Sequence, residues 1–119
     1  MTIIVADTTC GLPRQIVQER DIPLIPQVVT FDDQSFHDDK GLDTATFLSR
    51  LKASPTLPKT AAPEPPLYFP IFENARNKGE SVIVVAPTCK ASGTVRSAQT
   101  AAQSAGHPEL TPLHLARAL

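Results

Sequence analysis

Hydroxyl, thiol and amino groups crowd one short stretch of the chain, Thr88-Cys89-Lys90-Ala91-Ser92-Gly93-Thr94. Placed at the start of a helix, hydroxyls and free backbone N–H groups bind a carboxylate or a phosphate by charge-assisted hydrogen bonds. The plainer reading of the same spacing is that Ser92 or Thr94 caps the helix, meeting N–H groups that have no partner in its first turn. Cys89, next to Lys90 and a helix start, has surroundings that activate a thiol, although a structural or incidental cysteine is the plainer reading. A second polar group, Asp7-Thr8-Thr9-Cys10, lies near the N-terminus. A carboxylate such as Asp7 orients its loop through hydrogen bonds as readily as it takes part in chemistry.

Other candidates carry less. Nucleophilic catalysis needs a base and an orienting partner, and no motif ties His37, His107 or His114 to Ser92 or Cys89. Asp32, Asp33, Asp38 and Asp39 suggest a hard cation by type, but their spacing is that of solvated turns and no metal site is expected. There is neither a Walker-type lysine loop nor a dinucleotide fingerprint with three spaced glycines. The formal net charge is −1 and basic residues are scattered, which argues against a nucleic-acid partner. Two cysteines make no disulfide scaffold. No apolar run reaches the roughly 18 residues of a membrane span, and the N-terminus lacks the plan of a secretory signal, so a cytoplasmic location is expected.

These residues need a scaffold, and the apolar pattern supplies one. Ser81–Ala86 is a continuous, β-branched apolar run and reads as a strand buried on both faces. Val95, Ala98, Ala101 and Ala102 then recur at helical spacing, with an end near Gly106. Thr2–Ala6 repeats the plan: an apolar strand, the Asp7–Cys10 loop, and a helix opening at Pro13 with Leu12, Ile16 and Val17 on one face. Extended chain is expected over Gln27–Phe31, with a turn at Asp32-Asp33 and a return at Ser35–His37. Asp43 or Thr44 caps a helix carrying Phe47, Leu48 and Leu51. Proline is about twice as frequent as average, 12 residues in 119. Half of them lie in or just beyond residues 54–66, which are therefore expected to be irregular. Tyr68, Phe72 and Ala75 mark a further helix, in which Pro70 is tolerable only in the first turn. Leu110–Leu115 is the expected last strand. The alternation predicts one α/β domain over 1–119, a small, mainly parallel sheet flanked by helices. Ligands of such sheets bind at the carboxyl ends of the strands, where Asp7–Cys10 and Thr88–Thr94 meet.

Four segments, in order, resemble the DegV family of bacterial fatty-acid-binding proteins. Val5–Pro13 is similar to its opening strand, T-D-S-T and L-P; Ile22–Asp33 to its next apolar segment and turn. Lys59-Thr60-Ala61-Ala62-Pro63 stands where the family carries T-S-Q-P, and Thr88–Thr94 resembles its S-S-x-L-S-G-T loop. Ala61 and Ala62 replace the serine and glutamine of the first motif, and Cys89 a serine of the second. The resemblance implies the N-terminal domain of a DegV protein, with the second domain absent from this chain. It implies a long-chain fatty acid as ligand, no cofactor, and a non-enzymatic carrier that presents the acid to a fatty acid kinase. Carried over position by position, Thr60 and Ser92 hold the carboxylate, with Gly93, Thr94 and Cys89 in the same loop and Asp7, Thr8 and Ala61 in support. Two readings stand beside it: a small enzyme or phosphate-binding module built on Ser92 or Cys89, and a non-binding fragment that self-associates through an uncovered apolar face.

Overall fold

The computed structural model describes residues 1–106 and 113–114. Four strands, β1 (Thr2–Asp7), β2 (Leu24–Ile25), β6 (Ser81–Ala86) and β7 (Leu113–His114), form a parallel sheet in the order β2-β1-β6-β7. Thr2 faces Ser81 and Ala6 faces Val85 along its central pair. Helices α3 (Phe69–Lys78) and α4 (Thr94–Ser104) pack on one side of it. Their core joins Val5, Val84 and Ala86 of the sheet to Tyr68, Phe72, Val95, Ala98, Ala101 and Ala102. The alanine stripe of α4 keeps that helix close against the strands.

The other side of this sheet departs from expectation. The continuous apolar runs predict burial on both faces, yet Ile4 is 47% exposed and Ile83 and Val85 are only half-buried. Helix α1 (Arg14–Glu19) has a single turn and a half and buries none of its residues; Ile16 remains 41% exposed. It therefore does not seal that face. Apolar content alone cannot tell a covered strand face from an uncovered one.

A second, antiparallel sheet follows the order β4-β3-β5, made of β3 (Val28–Phe31), β4 (Gln34–His37) and β5 (Lys59–Ala61). The β3–β4 hairpin turns at Asp32-Asp33, with Asp32 in the left-handed region at φ 52°, a conformation that aspartate tolerates. Helix α2 (Thr44–Ala53) covers this sheet through Phe47 and Leu51, which pack with Val29, Phe31 and Leu42. Asp43 caps it, accepting the Thr46 N–H at 2.7 Å.

Three sequence expectations shift in detail. The extended segment before β3 is split: Leu24–Ile25 pairs with β1 in the parallel sheet, and Pro26-Gln27 crosses to the other sheet. The proline-rich segment contains β5, whose flanking Pro58 and Pro63 stand outside the paired positions and so remove no ladder donor. Pro70 falls in the first turn of α3, after a separate 3-10 turn at Pro65–Leu67, where its missing N–H costs nothing. At the other end of α3, Gly79 takes φ 65°, and the Glu80 N–H returns to the Ala75 carbonyl before β6 begins. Of the last expected strand, Leu113–His114 pairs with Val85–Ala86. The remainder of that segment, and His107, lie outside the described residues. Among the described residues no helix is long and apolar enough to cross a membrane.

Candidate functional site

Chemistry-bearing residues converge at the carboxyl ends of β1 and β6. Asp7, the last residue of β1, is buried. Its Oδ1 accepts the Thr9 N–H at 2.9 Å and the Thr9 hydroxyl; its Oδ2 accepts Gln27 Nε2 at 3.0 Å. A buried carboxylate requires such donors, and Asp7 has three. Gln27, itself buried, is fixed from two sides. Its backbone N–H donates to Thr8 Oγ1 at 3.0 Å, and its Nε2 donates to Thr94 Oγ1 at 2.9 Å as well as to Asp7. Thr94 opens α4 and is 0% exposed. Its Oγ1 lies 2.8 Å from Ser92 Oγ, which also accepts the Thr94 N–H at 3.2 Å. A continuous line of hydrogen bonds thus runs from Asp7 through Gln27 and Thr94 to Ser92, which is half-buried at the surface end.

The loop before α4 is tightened by the N–H groups of Ala91 and Ser92, which both donate to the Thr88 carbonyl, at 2.9 and 3.0 Å. Gly93 occupies the cap position of α4, with no side-chain cap. The capping reading of Ser92 and Thr94 is therefore met only in part: Ser92 Oγ takes one first-turn N–H, and Thr94 lies inside the helix. A Cβ at Gly93 would stand 3.4 Å from the Ala62 Cβ. The loop bearing Ser92 thus rests against the chain leaving β5. Thr60, exposed on β5 opposite Val29, is two residues from that contact. No hydrogen bond joins Thr60 to Ser92 among the described residues. Cys89, Lys90 and Ala61 are exposed. Thr8 and Asp7 hold the site from within, whereas Thr94 is enclosed and reaches the surface only through Ser92.

Gln27 is the residue that motif reading passes over. Its signal is an amide inside the apolar run Leu24–Phe31, immediately after a proline; a polar side chain there must be buried with partners or break the run. Tyr68 is a second such group. Its hydroxyl is enclosed and has no hydrogen-bond partner among the described residues. Burial, and after it the negative charge of Asp7, pushes its pKa above the ordinary phenol value. Beside the site, a cavity of about 260 Å³ is lined by Asp7, Thr9, Cys10, Val85, Ala86 and Pro87. A larger apolar groove of about 640 Å³, lined by Met1, Ile3, Ile4, Ile22, Pro23 and Ile71 among others, lies toward the opposite end of β1 and away from these polar groups.

A family model described as "Uncharacterised protein, DegV family" matches residues 1–113. The chain belongs to the DegV family. A DegV domain-containing protein of Streptococcus pyogenes serotype M3 is 32% identical over 106 residues, 88% of this chain and 38% of that protein. A stearic acid-binding protein from Eubacterium ventriosum superposes with a TM-score of 0.83 at 25% identity, covering 97% of this chain and 41% of that one. The fatty acid kinase B3 protein of Streptococcus pneumoniae, solved loaded with linoleic acid, superposes at 0.69 with 24% identity over 95% of this chain and 41% of its own. This DegV chain thus spans about two fifths of the length of the proteins it matches. The α/β architecture with a parallel sheet flanked by helices is that of the matched part of the DegV structures.

Proposed function

We propose that this DegV chain binds the carboxylate of a long-chain fatty acid at the Thr88–Thr94 loop, with Ser92 and Thr60 as its hydroxyl donors, and acts as a non-enzymatic carrier supplying a fatty acid kinase. The observation that carries the reading is the Ser92 hydroxyl, held half-buried at the start of α4 by an enclosed hydrogen-bond line that ends on Asp7. The first-turn N–H groups of α4 add the positive end of its dipole at the same place. Proteins of like fold bind stearic acid or are loaded with linoleic acid, and one of them is a fatty acid kinase B3 protein. The half-exposed apolar face around Ile83 and Val85 offers surface for an acyl chain at the end of the sheet that carries the loop. Each methylene removed from water there contributes about 0.8 kcal/mol.

Displacement of a fluorescent fatty acid by oleate, followed on the purified chain, tests the proposal. Saturable displacement is expected, weakened about tenfold or more in Ser92→Ala and less in Thr60→Val, as for the loss of a hydrogen bond to a charged group. No saturable binding by the unsubstituted chain, together with no fatty acid in lipid extracts of natively purified protein, overturns the reading. Displacement by millimolar inorganic phosphate would instead favour a phosphate module. Carriage to a kinase is tested by adding the loaded protein to a fatty acid kinase and ATP; formation of acyl phosphate that requires the loaded protein is the expected result.

A further inference from the structure

We infer that Gln27 is a positioning residue that sets the direction of the Ser92 hydroxyl proton and so selects an anionic head group over a neutral one. The inference rests on the fatty-acid reading of the Ser92 loop, and it follows from counting protons along the buried line. A carboxylate only accepts, so the Gln27 group facing Asp7 Oδ2 at 3.0 Å is the amide nitrogen rather than its oxygen. The second hydrogen of the same nitrogen goes to Thr94 Oγ1 at 2.9 Å. Thr94 is thereby an acceptor on that side, and its single hydroxyl proton must find another acceptor. Thr94 is 0% exposed, so water does not reach it, and Ser92 Oγ at 2.8 Å is the acceptor the structure provides. Ser92 Oγ then accepts twice, from the Thr94 hydroxyl and from the Thr94 N–H at 3.2 Å. Both lone pairs are filled. The one group left on Ser92 is its own O–H, which points outward as a donor. A carboxylate is met by a proton, whereas the reverse order would present a lone pair to it. The order is dictated by Asp7, and Gln27 is the residue that transmits it across the gap to Thr94.

Reversing the order tests this. Gln27→Glu places a second carboxyl beside Asp7, and two adjacent carboxyls share a proton. With that proton between them, the oxygen that replaces Nε2 has no second hydrogen for Thr94; it turns a lone pair to Thr94 Oγ1 and takes the Thr94 hydroxyl proton. Ser92 must then donate to Thr94 and offers a lone pair outward. Measured by displacement, the affinity for oleate relative to oleyl alcohol is expected to fall about tenfold or more in Gln27→Glu, with the alcohol bound as well as before or better. Loss of packing alone weakens both ligands alike and leaves the ratio unchanged; that outcome overturns the inference. Thr94→Val cuts the line one step later, so adding Gln27→Glu to it should change the ratio less than twofold, and an undiminished fall there also overturns it. A readout without ligand separates this from the parent reading. In the unliganded protein, proton NMR should show the Thr94 hydroxyl proton protected from solvent exchange and the Ser92 proton exchanging freely. A protected Ser92 proton with an exchanging Thr94 proton refutes the order whether or not lipid binds. Failure of oleate to bind the unsubstituted chain, with the NMR pattern intact, refutes only the fatty-acid reading.

Discussion

A hydroxyl is useful to an anion only when its proton faces outward, and at Ser92 that depends on buried residues behind it. Tyr68 shows the opposite condition, a buried hydroxyl with nothing to bind among the described residues. Replacing it by phenylalanine removes an unsatisfied group while keeping the ring stacked on Phe72, whose centroid is 5.6 Å away. Tyr68→Phe should therefore leave stability unchanged or raise it by about 1 kcal/mol in urea unfolding. The same substitution has a pH signature. Because the folded-state pKa of Tyr68 is raised from its ordinary value of 10.0, its contribution is complete below that pH and is lost as pH rises beyond it. The alkaline fall in stability should be shallower in Tyr68→Phe. Phe72→Ala, in contrast, opens a cavity in the main core and should cost about 3–5 kcal/mol in the same measurement. At this scale the meeting of the Asp7 and Ser92 loops was legible, because a strand end and a helix start that follow one plan fall on the same sheet edge; Thr60 entered only through the resemblance to the DegV motif. Gln27 and Thr94 were not read as partners, since a bond between residues so far apart in sequence exists only once β1, β3 and α4 are assembled.

Elements tell a similar story with different physics. Periodicity located α2, α3 and α4, and turn chemistry located the β3–β4 hairpin, because those signals are local. The antiparallel sheet as a unit was not legible. β5 is three exposed residues between prolines, and its only warrant is the backbone of β3 alongside it. The exposed face of β1 and β6 departs from expectation for the reason already given: a continuous apolar run reads the same whether or not something covers both faces. Among the helices, α2 offers the cleanest test. The Asp43 carboxyl is held below its ordinary pKa of 3.8 mainly by the hydrogen bond from the Thr46 N–H. A lowered value means that the stabilisation is present above the ordinary pKa and is lost as pH falls through the folded one. Asp43→Ala should lower the melting temperature by a few degrees at neutral pH and leave a difference that shrinks on acidification. Asp43→Asn should keep most of the cap and lose the pH dependence. Circular dichroism melts across pH 2–7 would separate the two.

At the scale of the whole molecule, two small cores sit under two sheets; Pro26-Gln27 carries the chain from the first to the second, and the segment after β5 carries it back. Gln27 is thus both a crossing point and the hub of the polar line, which ties the chain entering the antiparallel sheet to the parallel sheet and α4. The central pairing of β1 with β6 has a further effect, on the order of assembly. The hairpin β3–β4 and helix α2 contact one another across short stretches of chain, whereas Thr2 must wait for Ser81. Closing that long loop is entropically slow compared with closing a hairpin. On a ribosome, β1 emerges long before β6 and meets that partner only after the intervening chain has followed. Until then β1 has only the two residues of β2 to pair with, and the hydrogen-bond line from Asp7 to Ser92 lacks its α4 end.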